Sequence, residues 1–175
     1  MSLYDPVDVW RIPVSVLPDS IAEMAPDGKR GCEGIVLWLG SVAQRTATIT
    51  HLVGLHGPKV IKRPDHLRID PDLFNELADL CEEVGSTLLG QIHSHPGTFV
   101  DLSETDRRYG VSTPHYLSVV APYYAQDPSV GWTQCGVHVF HPTSGFQRLS
   151  AELVTRRIQI VSDVRPPLTR LGVTK

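Results

Sequence analysis

The stretch Glu33-Gly34-Ile35-Val36-Leu37-Trp38-Leu39-Gly40 constrains the fold more than any other. Successive strand side chains point to opposite faces, so a run apolar at every position must be covered on both. Residues 45–53, rich in Thr, Ile and Val, follow closely enough to be the second strand of a hairpin. Asp70-Pro71 opens a helix, with Asp70 as cap and Pro71 at the first helical position. Leu73, Leu77, Leu80, Cys81 and Val84 form its buried stripe, and Gly85 stops it. An earlier helix is expected from a cap at Ser15, with Leu17, Ile21 and Met24 on one face and Pro26-Asp27-Gly28 as its end. A short segment at 7–12 precedes that helix, and further strands are expected at 87–95, 116–121, 131–140 and 146–149, with a short helix from Ser103. Residues 151–161 read equally as a short helix or an edge strand. This order predicts an α/β fold, a mixed sheet with helices on its faces.

A chain of 175 residues is about one domain. The domain is read as 1–162, and 163–175, which includes Arg165-Pro166-Pro167, as a C-terminal tail and a candidate for disorder. With a net charge of −3 the chain lacks the basic excess of a protein that grips phosphates, which argues against nucleic acid as a partner. No apolar run approaches the roughly 20 residues that cross a bilayer, and no secretory leader opens the chain. The expectation is a cytoplasmic protein without a membrane partner. Cys32, Cys81 and Cys135 form no C-x-x-C pair and read as small buried hydrophobes in a reducing compartment.

Two of the eight histidines, His93 and His95, are one residue apart at the end of a strand that Pro96 stops. Strand alternation puts both imidazoles on the same face. Asp106, in the first turn of a helix beginning at Ser103, can point back to them across the loop 96–102. Two imidazoles and a carboxylate are a common catalytic zinc set, with the fourth tetrahedral position open. Plainer readings stand beside this one. The histidines could be polar residues on an exposed strand face, and Ser103-x-x-Asp106 has the form of a capping box.

His93-Ser94-His95-Pro96, the six-residue gap, Ser103 and Asp106, led in by Gly90-Gln91-Ile92, resemble the JAMM signature of the MPN+/JAB metalloproteases. Glu33 to Gly40 resembles the early strand that carries the family's upstream glutamate, although Gly34-Ile35-Val36 stands where many bacterial relatives have Thr-Gly-Gly. The resemblance runs from about residue 12 to 149. It implies a JAB/MPN-like architecture, related to that of cytidine deaminases, and a Zn2+ ion held by His93, His95 and Asp106. It further implies Glu33 as general base and acid, Ser103 as a hydroxyl donor to the oxyanion, and Ser94 turned away to brace the loop. The implied reaction is hydrolysis of a peptide or isopeptide bond at the C-terminal glycine of a ubiquitin-like or sulfur-carrier protein. Thr98, Phe99 and Asp101 are candidates to line the groove, and Phe99 reads equally as a core residue.

The alternative is a catalytically silent MPN-type scaffold, a class that usually lacks one or more ligands. A zinc nucleobase deaminase needs H-x-E and P-C-x-x-C segments, and neither occurs. His51, His56, His138 and His141 are the candidates for any second, structural zinc, and His115 for a neighbour of the site. Residues 122–131 are too short to resemble the metal-binding insertion with which some eukaryotic members grip a ubiquitin chain. An activating protein partner or a homo-oligomer stays open.

Overall fold

A computed structural model describes residues 6–162 and 164–173. Strand β1 (Val9–Pro13) leads into helix α1 (Val16–Lys29), then the hairpin β2 (Ile35–Ala43) and β3 (Thr46–Leu55). A small hairpin, β4 (Val60–Lys62) and β5 (Leu67–Ile69), precedes α2 (Pro71–Val84) and β6 (Thr87–Ser94). There follow α3 (Glu104–Tyr109), β7 (Leu117–Ala121), β8 (Gly136–His141), β9 (Gly145–Arg148), α4 (Ala151–Arg157), β10 (Ile158–Val161) and β11 (Leu168–Leu171). The main sheet has the order β10-β1-β3-β2-β6-β7-β8-β9, with β11 also on β3. It is mixed: β2 runs antiparallel to β3 and β6, whereas β6 runs parallel to β7.

The apolar run does what its pattern requires. Val36 and Trp38 enter a core with Ile21 and Met24 of α1, while Ile35, Leu37 and Leu39 enter another with Leu73 and Leu77 of α2. Each such burial contributes about 1.5–3 kcal/mol, so a polar residue in β2 would open one of the two layers. Gln44 and Arg45, at φ 49° and 64°, form the tight turn of the β2–β3 hairpin, whose handedness matches the strand twist. Asp70 caps α2 by accepting from Asp72 N–H at 2.9 Å, and Gly85 ends it in the left-handed region at φ 63°.

Several elements depart from the sequence expectation. Ser15 has a helical backbone and its side chain makes no capping bond. Helix α1 runs through Pro26 to Lys29 because its last turn is tied down from outside. Asp27 is buried against Lys62 and Arg30, and the Gly28 carbonyl accepts from Gln126 Nε2 at 2.8 Å. Residues 151–161 are both things in succession, α4 and then β10, and part of 131–140 is a 3-10 turn at Trp132–Gln134. The β4–β5 hairpin was not expected.

The tail, a candidate for disorder, instead carries β11 within the described residues. β1 pairs with β3 only at Thr46–Thr48, so the edge of β3 at Leu52–Leu55 would be bare without β11. Arg165 on Asp19 and Arg170 on Glu23 fasten it to α1. Among the described residues no helix is long and apolar enough to cross a membrane. Cys135 is buried, which pushes its thiol up to about 12, whereas Cys32 and Cys81 are only half-buried.

Candidate metal centre

His93 lies on β6 beside Ile35 of β2 and Val120 of β7, and His95 follows just past the strand end. Both are buried, at 1% and 4% exposure, which disposes of the exposed-strand reading. Their Nε2 atoms are 3.1 Å apart, and Asp106 Oδ2 lies 3.5 Å from that of His93 and 3.2 Å from that of His95. Bonds of about 2.1 Å at tetrahedral angles put ligand atoms about 3.4 Å apart. The triangle therefore has the dimensions of one face of a transition-metal coordination tetrahedron. Among the described residues these three side chains form the one group of His, Cys, Asp or Glu gathered closely enough to hold an ion.

The surrounding bonds orient each member. His95 Nδ1 donates to the Phe99 carbonyl at 3.2 Å, which leaves the Nε2 lone pair free to face the triangle. Phe99 stacks flat on the His95 ring, 2° from parallel and 5.8 Å between centroids. At 59% exposure it shields the histidine and is not a core residue. The Gln91 amide sits 3.4 Å from His93 Nδ1 and is itself held by Tyr116 OH, which donates to Gln91 Oε1 at 3.0 Å. Asp106 stands in the first turn of α3, where Ser103 Oγ accepts from its N–H at 3.1 Å and donates to its Oδ2 at 2.7 Å. The capping box and the candidate ligand are thus the same carboxylate.

Glu33 stands next to His95. Its Oε1 is 3.9 Å from His95 Nε2, beside the triangle but outside it. Ser94, expected to brace the loop, instead bonds the residue before β2: Gly34 N–H donates to Ser94 Oγ at 2.9 Å, and Ser94 N–H donates to the Gly34 carbonyl at 3.1 Å. Glu33 N–H donates to the Arg63 carbonyl at 2.9 Å, so the β4–β5 hairpin shares in placing it. A Cβ at Gly34 would lie 2.7 Å from Met24 Cβ, so this strand start can meet α1 only with glycine there.

Electrostatics separates the two carboxylates. Burial pushes Glu33 up to about 7; the charges of Asp106 and Asp65 add to it, and His95 pulls the other way. Burial acts on Asp106 too, yet hydrogen bonds from His93, His95 and Ser103 outweigh it and hold that carboxyl well below its usual range. His95 is raised, since contact with Asp106 and Glu33 overcomes the burial that would lower it.

The Glu33 shift has a stability consequence in the metal-free protein. With its folded pKa above the ordinary 4.5, Glu33 costs nothing below pH 4.5 and destabilises increasingly as pH rises to about 7. The cost above that pH is about 3 kcal/mol. Glu33→Gln is therefore expected to melt higher than the wild type at pH 8 in chelator and at nearly the same temperature at pH 4.5. Equal melting temperatures at pH 8 would contradict the buried, raised carboxyl.

A cleft of about 600 Å³ opens beside His93 and Asp106, walled by Leu67 and Ile69 of β5, Phe74 of α2 and Tyr109 of α3. Asp101, a candidate to line the groove, is tied to its neighbours. Its Oδ1 is taken by His138 and Arg107, at 2.7 and 2.9 Å. The other histidines are engaged separately: His56 bonds Glu23, and His115 meets the His141 ring edge-on at 6.2 Å. The contacts of Gln91 with Tyr116 and of His138 with Asp101 were missed in the sequence because nothing local marks partners so distant in the chain.

Fold and cluster define a mixed α/β protein whose two buried histidines and half-buried Asp106 have the donor chemistry of a metal site. No family model matches the chain. It is 27% identical over 165 residues to a Sinorhizobium fredii (strain NBRC 101917 / NGR234) protein named Probable metalloprotease y4jG, covering 93% of this chain and 100% of that one. The solution structure of DSY2949 from Desulfitobacterium hafniense shares the fold, with a TM-score of 0.67, 16% identity and coverage of 89% of this chain and 95% of that chain. So does a protein from Salinibacter ruber (strain DSM 13855), with a TM-score of 0.59, 18% identity and coverage of 85% and 90%.

Proposed function

We propose that this protein is a JAMM-type zinc metallopeptidase of JAB/MPN-like architecture. The observation that carries the reading is the triangle of His93 Nε2, His95 Nε2 and Asp106 Oδ2 with Glu33 Oε1 3.9 Å from one corner. Similarity over the whole length of a protein named a probable metalloprotease supports it. An all-nitrogen-and-oxygen donor set of three, with an acid beside the open side, suits zinc in a hydrolytic site. A scaffold has no need of a glutamate buried at 4% exposure next to that set.

When bound, a zinc ion supplies a water acidified toward neutrality and a Lewis acid for the substrate carbonyl. The chain's own groups do the rest. Glu33 accepts a proton from the attacking water as its oxygen bonds the carbonyl carbon, then delivers that proton to the leaving amine as the C–N bond breaks. Burial raises this carboxyl and a bound dication would draw it back toward the ordinary carboxylate range, so proton uptake and return lie close in energy. Ser103 Oγ donates a hydrogen bond to Asp106 Oδ2 at 2.7 Å. Rotation about the Ser103 Cβ–Oγ bond turns that same O–H toward a developing oxyanion. Phe99 and the buried strand ends exclude competing water from His95.

The substrate in this reading is a ubiquitin-like or sulfur-carrier protein, cut after its C-terminal glycine. An extended tail without side chains fits a confined approach to a buried centre, and the apolar walls of the cleft can hold the residues before it. The test is incubation of the zinc-loaded protein with such proteins extended beyond their terminal glycine, scored by intact mass. Cleavage after the glycine, lost in chelator and restored by zinc, is expected. A fully loaded protein that cuts none of them would refute the substrate assignment.

A further inference from the structure

Helix α3 presents the carboxylate corner of the candidate centre, yet it buries none of its own residues. A helix of six residues has no independent stability, since isolated helices below about 12–15 residues are marginal in water. The capping box fixes Asp106 only relative to Ser103. Something must tie that turn to the sheet.

Asp101 is the tie. Its Oδ1 accepts from His138 Nε2 at 2.7 Å, from Arg107 Nη2 at 2.9 Å and from Leu102 N–H at 2.8 Å. His138 is a fully buried residue of β8, with Nδ1 3.3 Å from the Ser118 carbonyl of β7. Arg107 belongs to α3 itself and also donates to the Phe146 carbonyl of β9 at 3.0 Å. One oxygen therefore joins the sheet, the loop after His95 and the helix of Asp106. The backbone fits the same arrangement: a Cβ at Gly136 of β8 would lie 1.8 Å from the Val100 carbonyl, so the loop rests directly on the strand.

We propose that Asp101, His138 and Arg107 are positioning residues that hold Asp106 at closing distance from the two histidines and thereby set the affinity of the site for its metal. The inference rests on the metal-centre reading but concerns residues outside the donor set. Directional bonds to a carboxylate fix orientation as well as distance, which an apolar contact would not.

The test compares zinc dissociation constants, measured against a chromophoric chelator, and visible spectra of the cobalt(II)-substituted protein. Wild type, Asp101→Ala, His138→Phe, His138→Gln and Asp106→Ala are compared, with metal-free melting temperatures alongside. Asp101→Ala is expected to weaken zinc roughly 10–100-fold and to move the cobalt spectrum toward that of Asp106→Ala. His138→Gln, which keeps a donor on β8, is expected to recover part of what His138→Phe loses. If Asp101→Ala does not fold, Asp101→Asn gives the same comparison. Unchanged zinc affinity and cobalt spectrum, even with a lower metal-free melting temperature, would overturn the clamp and leave the metal centre standing. A wild type that holds zinc no better than Asp106→Ala would sink the metal reading itself, and the clamp with it.

Discussion

Glu33→Gln is expected to lower turnover roughly 10²–10⁴-fold while zinc content stays at the wild-type level. The two halves of that outcome come from one geometry. Glu33 Oε1 is 3.9 Å from His95 Nε2 and outside the ligand triangle, so the amide should leave the donor set intact. The amide has nearly the shape of the acid but cannot accept and return a proton, so the loss should fall on the chemical step. The pH profile carries the sign. Without metal, burial holds Glu33 near 7, and a bound dication must favour its ionised form. The ascending limb of kcat/KM for loaded enzyme should therefore lie below pH 7 and vanish in Glu33→Gln. Retention of most activity, or loss of zinc together with activity, would contradict the role assigned to Glu33.

The second large effect is thermal. A ligand that binds only the folded state at about a thousandfold over its Kd stabilises by about 4 kcal/mol. For a chain of this size that raises Tm by about 10 °C. Asp106→Ala should abolish most of this shift, because it removes one corner of the triangle and leaves Ser103 without its acceptor. His93→Ala and His95→Ala should do the same. A zinc-dependent shift that survives in all three variants would place the ion elsewhere.

The parts of the molecule that were legible in the sequence are those whose signal is local. An apolar run of β2, an Asp-Pro start with a Gly stop in α2, and a His-x-His before proline each act within a few residues. The misses share a different cause. Pro26 is tolerated because Lys62 and Gln126, far along the chain, hold the turn that contains it. Strands β4 and β5 have three residues each, two apolar and one basic, too short for an alternation to register. β11 exists because β1 leaves part of β3 unpaired, which no tail residue announces. In the site, the convergence of Asp106 with the histidines was readable from a short loop. The network that makes α3 stay there was not, since Asp101 finds His138 only through the folding of β7 and β8.

The most direct measurement is anomalous diffraction at the zinc edge from crystals of the zinc-loaded protein. One peak is expected about 2.0–2.2 Å from His93 Nε2, His95 Nε2 and Asp106 Oδ2, with Glu33 facing its open side and not bonded to it. A peak at any other place, or Glu33 coordinated where Asp106 should be, would contradict the account.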